Sequence, residues 1–212
     1  MIRAVVFDMD GVLIDAREWH YESLNKALEV FGYTITRHEH LSTYDGLPTR
    51  KKLEMLTAAK GLPREFHDRI YELKQQFTME IVRRDCRPRP EHLEALSELR
   101  HRGYRLAVAS NSIRSTVVEM MERAGLDQYL DIMLSNEDVS RPKPSPDIYL
   151  KAANMLGTTP DRCLVVEDNT HGVQAAQLSG AHVMVVRGVE DVYLDAILHN
   201  ISIAEKNMRI AA

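Results

Sequence analysis

Ala4-Val5-Val6-Phe7-Asp8-Met9-Asp10-Gly11 is the stretch that decides the fold. Four apolar residues run directly into two carboxylates and a glycine. An unbroken apolar run of this length suits a strand buried on both faces of a parallel sheet. In open α/β sheets ligands gather outside the carboxyl ends of the strands, so Asp8 and Asp10 stand where a ligand would. Two acids with a glycine to turn the backbone make a site for a hard cation. A carboxylate there can also attack phosphorus and become an acyl phosphate. The meeting of two anions then requires neutralisation, which Mg²⁺ can supply. A second carboxylate can protonate the leaving oxygen and afterwards activate water. A solvated acidic loop explains an isolated Asp-x-Asp equally well, so the rest of the chain has to choose.

Outward from that stretch, similar runs recur at Arg105 to Ala109, Ile132 to Leu134, Cys163 to Val166 and His182 to Val186. Helical spacing lies between them. Leu93, Leu96 and Leu99 mark one helix, and Val117, Met121 and Ala124 mark another that Gly125 stops. Ser145-Pro146 reads as an N-cap and a first-turn proline. Ile148, Ala152, Met155 and Leu156 follow as an apolar stripe up to Gly157, and a shorter helix spans Thr170 to Ser179. Alternating strands and helices predict an α/β fold around a Rossmann-like parallel sheet.

From about Asp15 to Arg84 the alternation breaks and no strand is legible. Tyr21, Leu24, Leu28 and Phe31 form one stripe, Leu53 and Leu56 a second, and Phe66, Ile70, Leu73, Phe77 and Ile81 a third. The expected organisation is a catalytic core of residues 1–14 and 88–212 with an inserted α-helical cap domain over 15–87. Arg87-Pro88-Arg89-Pro90 is the return linker.

The 212 residues carry 27 basic and 31 acidic side chains and a net charge of -4, well mixed, which gives no footprint for nucleic acid. The two cysteines, Cys86 and Cys163, make neither a disulfide framework nor a zinc motif. The apolar start of the chain is too short for a signal peptide, and no run is long enough to span a membrane. A cytoplasmic protein and, by default, a monomer are expected.

Three more strand ends carry chemistry. Ser110-Asn111-Ser112 follows the second strand and can cradle phosphate through hydroxyls and backbone N–H groups, or simply cap a helix. Arg141-Pro142-Lys143-Pro144 holds a lysine between prolines, which suits a phosphoryl group but also fits a surface turn. Glu167-Asp168-Asn169 follows the fourth strand. Acids directly after a buried strand are costly unless a cation or donors meet them, so Asp168 is a candidate metal ligand with Glu167 assisting, or a helix cap. Each site alone is ambiguous; the four in sequence at successive strand ends are not.

Phe7-Asp8-Met9-Asp10-Gly11-Val12-Leu13, Ala109-Ser110-Asn111, Arg141 to Tyr149 and Val165-Val166-Glu167-Asp168-Asn169-Thr170-His171-Gly172-Val173 resemble the four motifs of haloacid dehalogenase-like hydrolases. The resemblance covers essentially the whole chain. It is greatest to the group of β-phosphoglucomutase and sugar-phosphate phosphatases, whose helical cap follows the first strand. It implies a sheet with the Asp8 strand at its centre, Asp8 as nucleophile and Asp10 as general acid/base. It implies Mg²⁺ held by Asp8, the Asp10 carbonyl and Asp168, and a phosphoryl group bound by Ser110 and Lys143 with an Asn111 backbone donor. The second aspartate argues against dehalogenation.

The expected activity is hydrolysis of a small phosphorylated metabolite such as a sugar phosphate, through an aspartyl-phosphate on Asp8. Specificity should come from the cap, whose closure would exclude water. Gly46, Arg50 and Lys51, in a loop entering a helix, are candidate substrate contacts, or merely an exposed basic helix start. His20 resembles a mutase residue and supports a sugar phosphomutase as the alternative, whereas Ala16, standing where that mutase has a hydroxyl residue, does not. A non-catalytic phosphorylated receiver is the third possibility, disfavoured by the cap and by Asp10. His38 and His40 are expected on a solvated loop.

Overall fold

The computed structural model describes residues 1–211. In chain order the elements are β1 (Ala4–Phe7), α1 (Arg17–Glu29), α2 (Arg37–Glu39), α3 (Thr49–Lys60), α4 (His67–Asp85), α5 (Pro90–His101), β2 (Arg105–Ala109), α6 (Arg114–Arg123), β3 (Ile132–Leu134), α7 (Asp147–Met155), β4 (Cys163–Glu167), α8 (Thr170–Ser179), β5 (His182–Val185) and α9 (Leu194–Ala211). The five strands form one parallel sheet in the order β3-β2-β1-β4-β5. β1 therefore lies at the centre. Its register sets Phe7 opposite Val108 of β2 and Val166 of β4. β2 and β4 run one residue further, to Ala109 and Glu167, and the residues that follow the three strands leave the sheet at its carboxyl end.

That register follows from apolar burial. All four residues of β1 are buried, as are all five of β4. Val6, Ala107 and Val165 pack against Ile148, Tyr149 and Ala152 of α7 in one cluster. A one-residue slip would turn each of these side chains to the opposite face. Met155, expected on the same stripe, is half exposed; Tyr149 takes the inward position instead. Helix α7 also begins at Asp147, one residue later than a Ser145 cap implies, and the Ser145 hydroxyl donates to the Asp147 carboxylate (2.8 Å) rather than capping the helix. Past β5, α9 buries Ile197, Ile201 and Ala204 at helical spacing and packs on α5.

Contacts divide the chain into two units, Met1–Asp15 with the chain from Arg87 onward, and Ala16–Cys86. The second unit is helical. α1 and α3 pack on α4 around a core that includes Leu24, Leu28, Leu53, Leu56 and Ile70. Gly61 ends α3 in the left-handed conformation that glycine accepts without strain (φ 68°).

One expectation fails in this unit. His38 is exposed, but His40 is not solvated: its side chain is 1% exposed. Thr36 and Glu39 form a capping box that starts α2, and a π-turn over His40–Tyr44 carries the ring inward. There it lies 5.5 Å from the Tyr21 ring. Both ring nitrogens are buried without a hydrogen bond. Burial, with the positive charges of Lys52, His20 and Lys74, lowers its pKa to about 3. Between about pH 6.5 and that value the unfolded chain takes up a proton that the folded one refuses, so this contribution to stability is lost as pH falls through the window. Urea unfolding at pH 7 and pH 5 checks it. The loss between the two pH values is expected to be about 2 kcal/mol smaller in His40→Phe than in the wild type; equal losses would contradict it.

Candidate active site

The loop after β1 is shaped by its own backbone. The Asp8 N–H donates to the Val166 carbonyl (2.9 Å), continuing the ladder by one residue. The Met9 carbonyl then accepts from the N–H groups of Leu13 (3.0 Å) and Ile14 (2.9 Å), which curls the chain back. Gly11 makes the turn at φ 86°, and a Cβ there would overlap the Asp168 carboxylate. Glycine is thus required twice over, for its conformation and for the close approach of Asp168.

Lys143 is 4% exposed and spends all three ammonium protons on protein oxygens. Its Nζ donates to Asp8 Oδ1 (2.6 Å), to the Ala109 carbonyl (2.8 Å) and to Glu167 Oε1 (2.7 Å). The lysine's own backbone is clamped by Asn111. The Lys143 N–H donates to Asn111 Oδ1 (3.0 Å), and Asn111 Nδ2 donates to the Lys143 carbonyl (3.3 Å). The sequence assigns Asn111 only a backbone role; its side chain couples the second motif to the third.

Glu167 is fully buried. Oε1 also accepts from the Tyr149 hydroxyl, while Oε2 accepts the backbone N–H of Asp168 (3.2 Å) and, at longer range, of Asn169 (3.5 Å). Gly172 closes the other side, since a Cβ there would overlap the Glu167 carboxylate. Asp10 Oδ2 accepts from the Ser112 hydroxyl (3.0 Å). Ser110 is buried, and its Oγ accepts from the Ser112 N–H (2.9 Å). Helix α6 begins later, at Arg114, so neither serine is its cap.

Asp8 is pushed well above the usual carboxylate range, first by burial and then by the Glu167 charge; Lys143 opposes this, and Asp168 and Asp10 add to it. Lys143 is held above its ordinary value: burial works against its charge, but Asp8 and Glu167 outweigh the burial. Four carboxylates around one ammonium leave surplus negative charge, the condition under which a divalent cation is bound.

The model of haloacid dehalogenase-like hydrolases matches residues 5–186, a span that contains every one of these groups. The chain belongs to the haloacid dehalogenase-like hydrolases. A Thermotoga maritima relative, named phosphorylated carbohydrates phosphatase, is 31% identical over 182 residues, covering 84% of this chain and 82% of its own length. Among solved structures, CbbY from Rhodobacter sphaeroides in complex with phosphate superposes with a TM-score of 0.80 at 25% identity, covering 89% of this chain and 87% of that one. β-Phosphoglucomutase from Clostridium difficile gives 0.84 at 19% identity over the whole of both chains, a likeness of fold.

Hydrolases of this family generally use Mg²⁺, and the donors in this chain suit it. Oxygens of Asp8, Glu167 and Asp168 lie within 4.8 Å of one another. The set is all carboxylate, with neither sulfur nor imidazole, as a hard cation prefers. Glu167 already receives donors on both oxygens, so Asp8 and Asp168 are better placed to be ligands. Mg²⁺ at ten times its dissociation constant should stabilise the fold by about 1.4 kcal/mol, raising Tm by about 3–5 °C. Asp168→Asn should abolish that shift. An undiminished shift in the variant would exclude Asp168 as a ligand.

Of the cap residues singled out in this hydrolase, Arg50 is exposed, pairs with Asp68 (3.0 Å) and lies over the Tyr71 ring at 4.7 Å; Lys51 is exposed. Gly46 turns the chain at φ 71° ahead of α3. His20 on α1 places Nδ1 3.3 Å from Lys74 Nζ. Lys52 and Lys74, each 6% exposed, escaped the sequence reading because a buried lysine looks like any other charged position on a helix. Tyr149 and Ser112 were missed as well, although each lies within a motif already singled out. Among the described residues no helix is long and apolar enough to cross a membrane.

Proposed function

We propose that this chain is a Mg²⁺-dependent phosphatase acting on a small phosphorylated metabolite, such as a sugar phosphate. Asp8 would attack phosphorus, and the ester oxygen would leave as an alcohol. The observation that carries this reading is the buried contact of Asp8 with Lys143 at 2.6 Å, beside Glu167 and Asp168, at the tip of the central strand. Bound Mg²⁺ would supply the positive charge that lets a phosphate dianion approach a carboxylate. Lys143 orients Asp8 and offsets charge on the phosphoryl oxygens. The Ser110 hydroxyl and the Asn111 N–H would donate to the same group. Asp10, oriented by Ser112, would give its proton to the leaving oxygen and then take one from the water that cleaves the aspartyl-phosphate. Cap residues such as His20, Arg50 and Lys51 would select the substrate.

The relatives' names support phosphate-ester hydrolysis: besides the Thermotoga protein, an Aquifex aeolicus phosphoglycolate phosphatase is 28% identical over 179 residues. The second reading, a sugar phosphomutase in which the phosphoryl group returns to its substrate, rests on the resemblance of His20 to a mutase residue, and Ala16 counts against it. A screen of phosphorylated metabolites with and without Mg²⁺ separates the two. Stoichiometric release of inorganic phosphate is expected; an isomeric phosphate with little release would establish the mutase.

A further inference from the structure

Tyr149 is 2% exposed, lies in the core cluster of α7, and carries a polar group that the reaction itself does not use. Its hydroxyl donates to Glu167 Oε1, the same oxygen that accepts from Lys143 Nζ at 2.7 Å. Its ring lies 4.8 Å from that ammonium. The chain of contacts thus runs from Tyr149 to Glu167, to Lys143, to Asp8 Oδ1, every member nine-tenths or more buried. We propose that Tyr149 is a positioning residue for phosphoryl transfer: by sharing Glu167 Oε1 with Lys143, its hydroxyl keeps the ammonium seated on Asp8. This rests on the reading of Asp8 as the group that accepts the phosphoryl.

The reasoning is one of competition for donors. Glu167 Oε2 is held by the Asp168 and Asn169 amides, and the carboxylate occupies the space that a Cβ on Gly172 would take. Oε1 therefore draws on two donors, Lys143 and Tyr149. Remove the hydroxyl, and a buried carboxylate oxygen is left with the ammonium alone. The pair then tightens, because an under-satisfied buried acceptor is expensive. The movement is away from Asp8 Oδ1, and displacements well below 1 Å at a reacting group are enough to slow chemistry. Substrate binding should be little affected, since Tyr149 does not reach the outer parts of a substrate from the core of α7.

Tyr149→Phe isolates the hydroxyl, because the ring, its packing and its contact with the ammonium are retained. The assay is Mg²⁺-dependent hydrolysis of p-nitrophenyl phosphate by the full chain, with Asp8→Asn alongside. The expected result is a kcat about tenfold lower with KM within about twofold of wild type. In a Glu167→Gln background the same change should alter kcat by less than about twofold, because the residue through which Tyr149 acts has lost its charge. A kcat for Tyr149→Phe within twofold of wild type would overturn the proposal, and so would an equal loss in both backgrounds. Failure of Tyr149→Phe to fold would also overturn it, by making the hydroxyl a stability element of the core. Hydrolysis that survives in Asp8→Asn would instead sink the phosphatase reading itself, so the two failures are distinguishable.

Discussion

Asp8→Asn is expected to lower kcat by at least about 10³-fold while the chain stays folded. A carboxamide cannot attack phosphorus, so the loss should fall on kcat. Loss of folding is not the cause, because the native environment works against this carboxylate's charge. It is buried, and Glu167, Asp168 and Asp10 all raise its pKa. Removing that charge relieves repulsion, so without Mg²⁺ the variant should melt no lower than the wild type. Stabilisation by Mg²⁺ should weaken, since one ligand has become neutral. Calorimetry alongside steady-state kinetics checks both halves. A variant that melts several degrees lower would mean that the activity loss reports misfolding rather than chemistry.

Lys143→Met should produce the largest stability loss of any single change at the site, about 3–5 kcal/mol. The lysine is not a surface charge whose pairing is worth a few tenths. It is 4% exposed and holds two carboxylates, Asp8 at 2.6 Å and Glu167 at 2.7 Å. Methionine keeps most of the volume of the stem but leaves Glu167 buried without its counter-ion, Tyr149 its main remaining donor on Oε1. The sign of the pH dependence follows. Asp8, already pushed up by burial, would lose the Lys143 charge that lowers its pKa, so the defect should shrink as pH falls and Asp8 takes up a proton. Urea unfolding in EDTA at pH 7.5 and pH 5 measures this. A loss under 1 kcal/mol at pH 7.5 would show that the three groups do not act as one buried network. Activity should disappear with the charge, because Asp8 loses its orienting partner.

Much of this was legible from residue types alone. The strands carry unbroken apolar runs, and Ala4–Phe7 and Arg105–Ala109 appear with the expected bounds. The acids, the lysine and the hydroxyls that meet at the sheet edge are the ones that follow those runs. Strand order was not legible: apolar runs say that strands are buried but not which are neighbours, so the central place of β1 came from the family resemblance. Contacts between side chains were the other blind spot. Nothing in the spelling of Tyr149 distinguishes a core tyrosine from one that serves Glu167, and only the α7 geometry does so. His40 escaped for a related reason. It lies in a π-turn directly after the three residues of α2, where no periodicity shows which side chains turn inward. Polar composition suggested a solvated loop, and the capping box at Thr36 and Glu39 overrode it.

Trapping the phosphoryl group on the enzyme tests the central claim most directly. p-Nitrophenolate departs with little help from an acid, so Asp10→Asn should still be phosphorylated by p-nitrophenyl phosphate, yet it lacks the base that activates water. Acid quenching during turnover, intact-mass measurement and borohydride reduction would locate the group. The expected result is one phosphoryl per chain, with residue 8 recovered as homoserine. A chain that releases phosphate without ever carrying it, or that carries it on any other residue, would contradict the role assigned to Asp8.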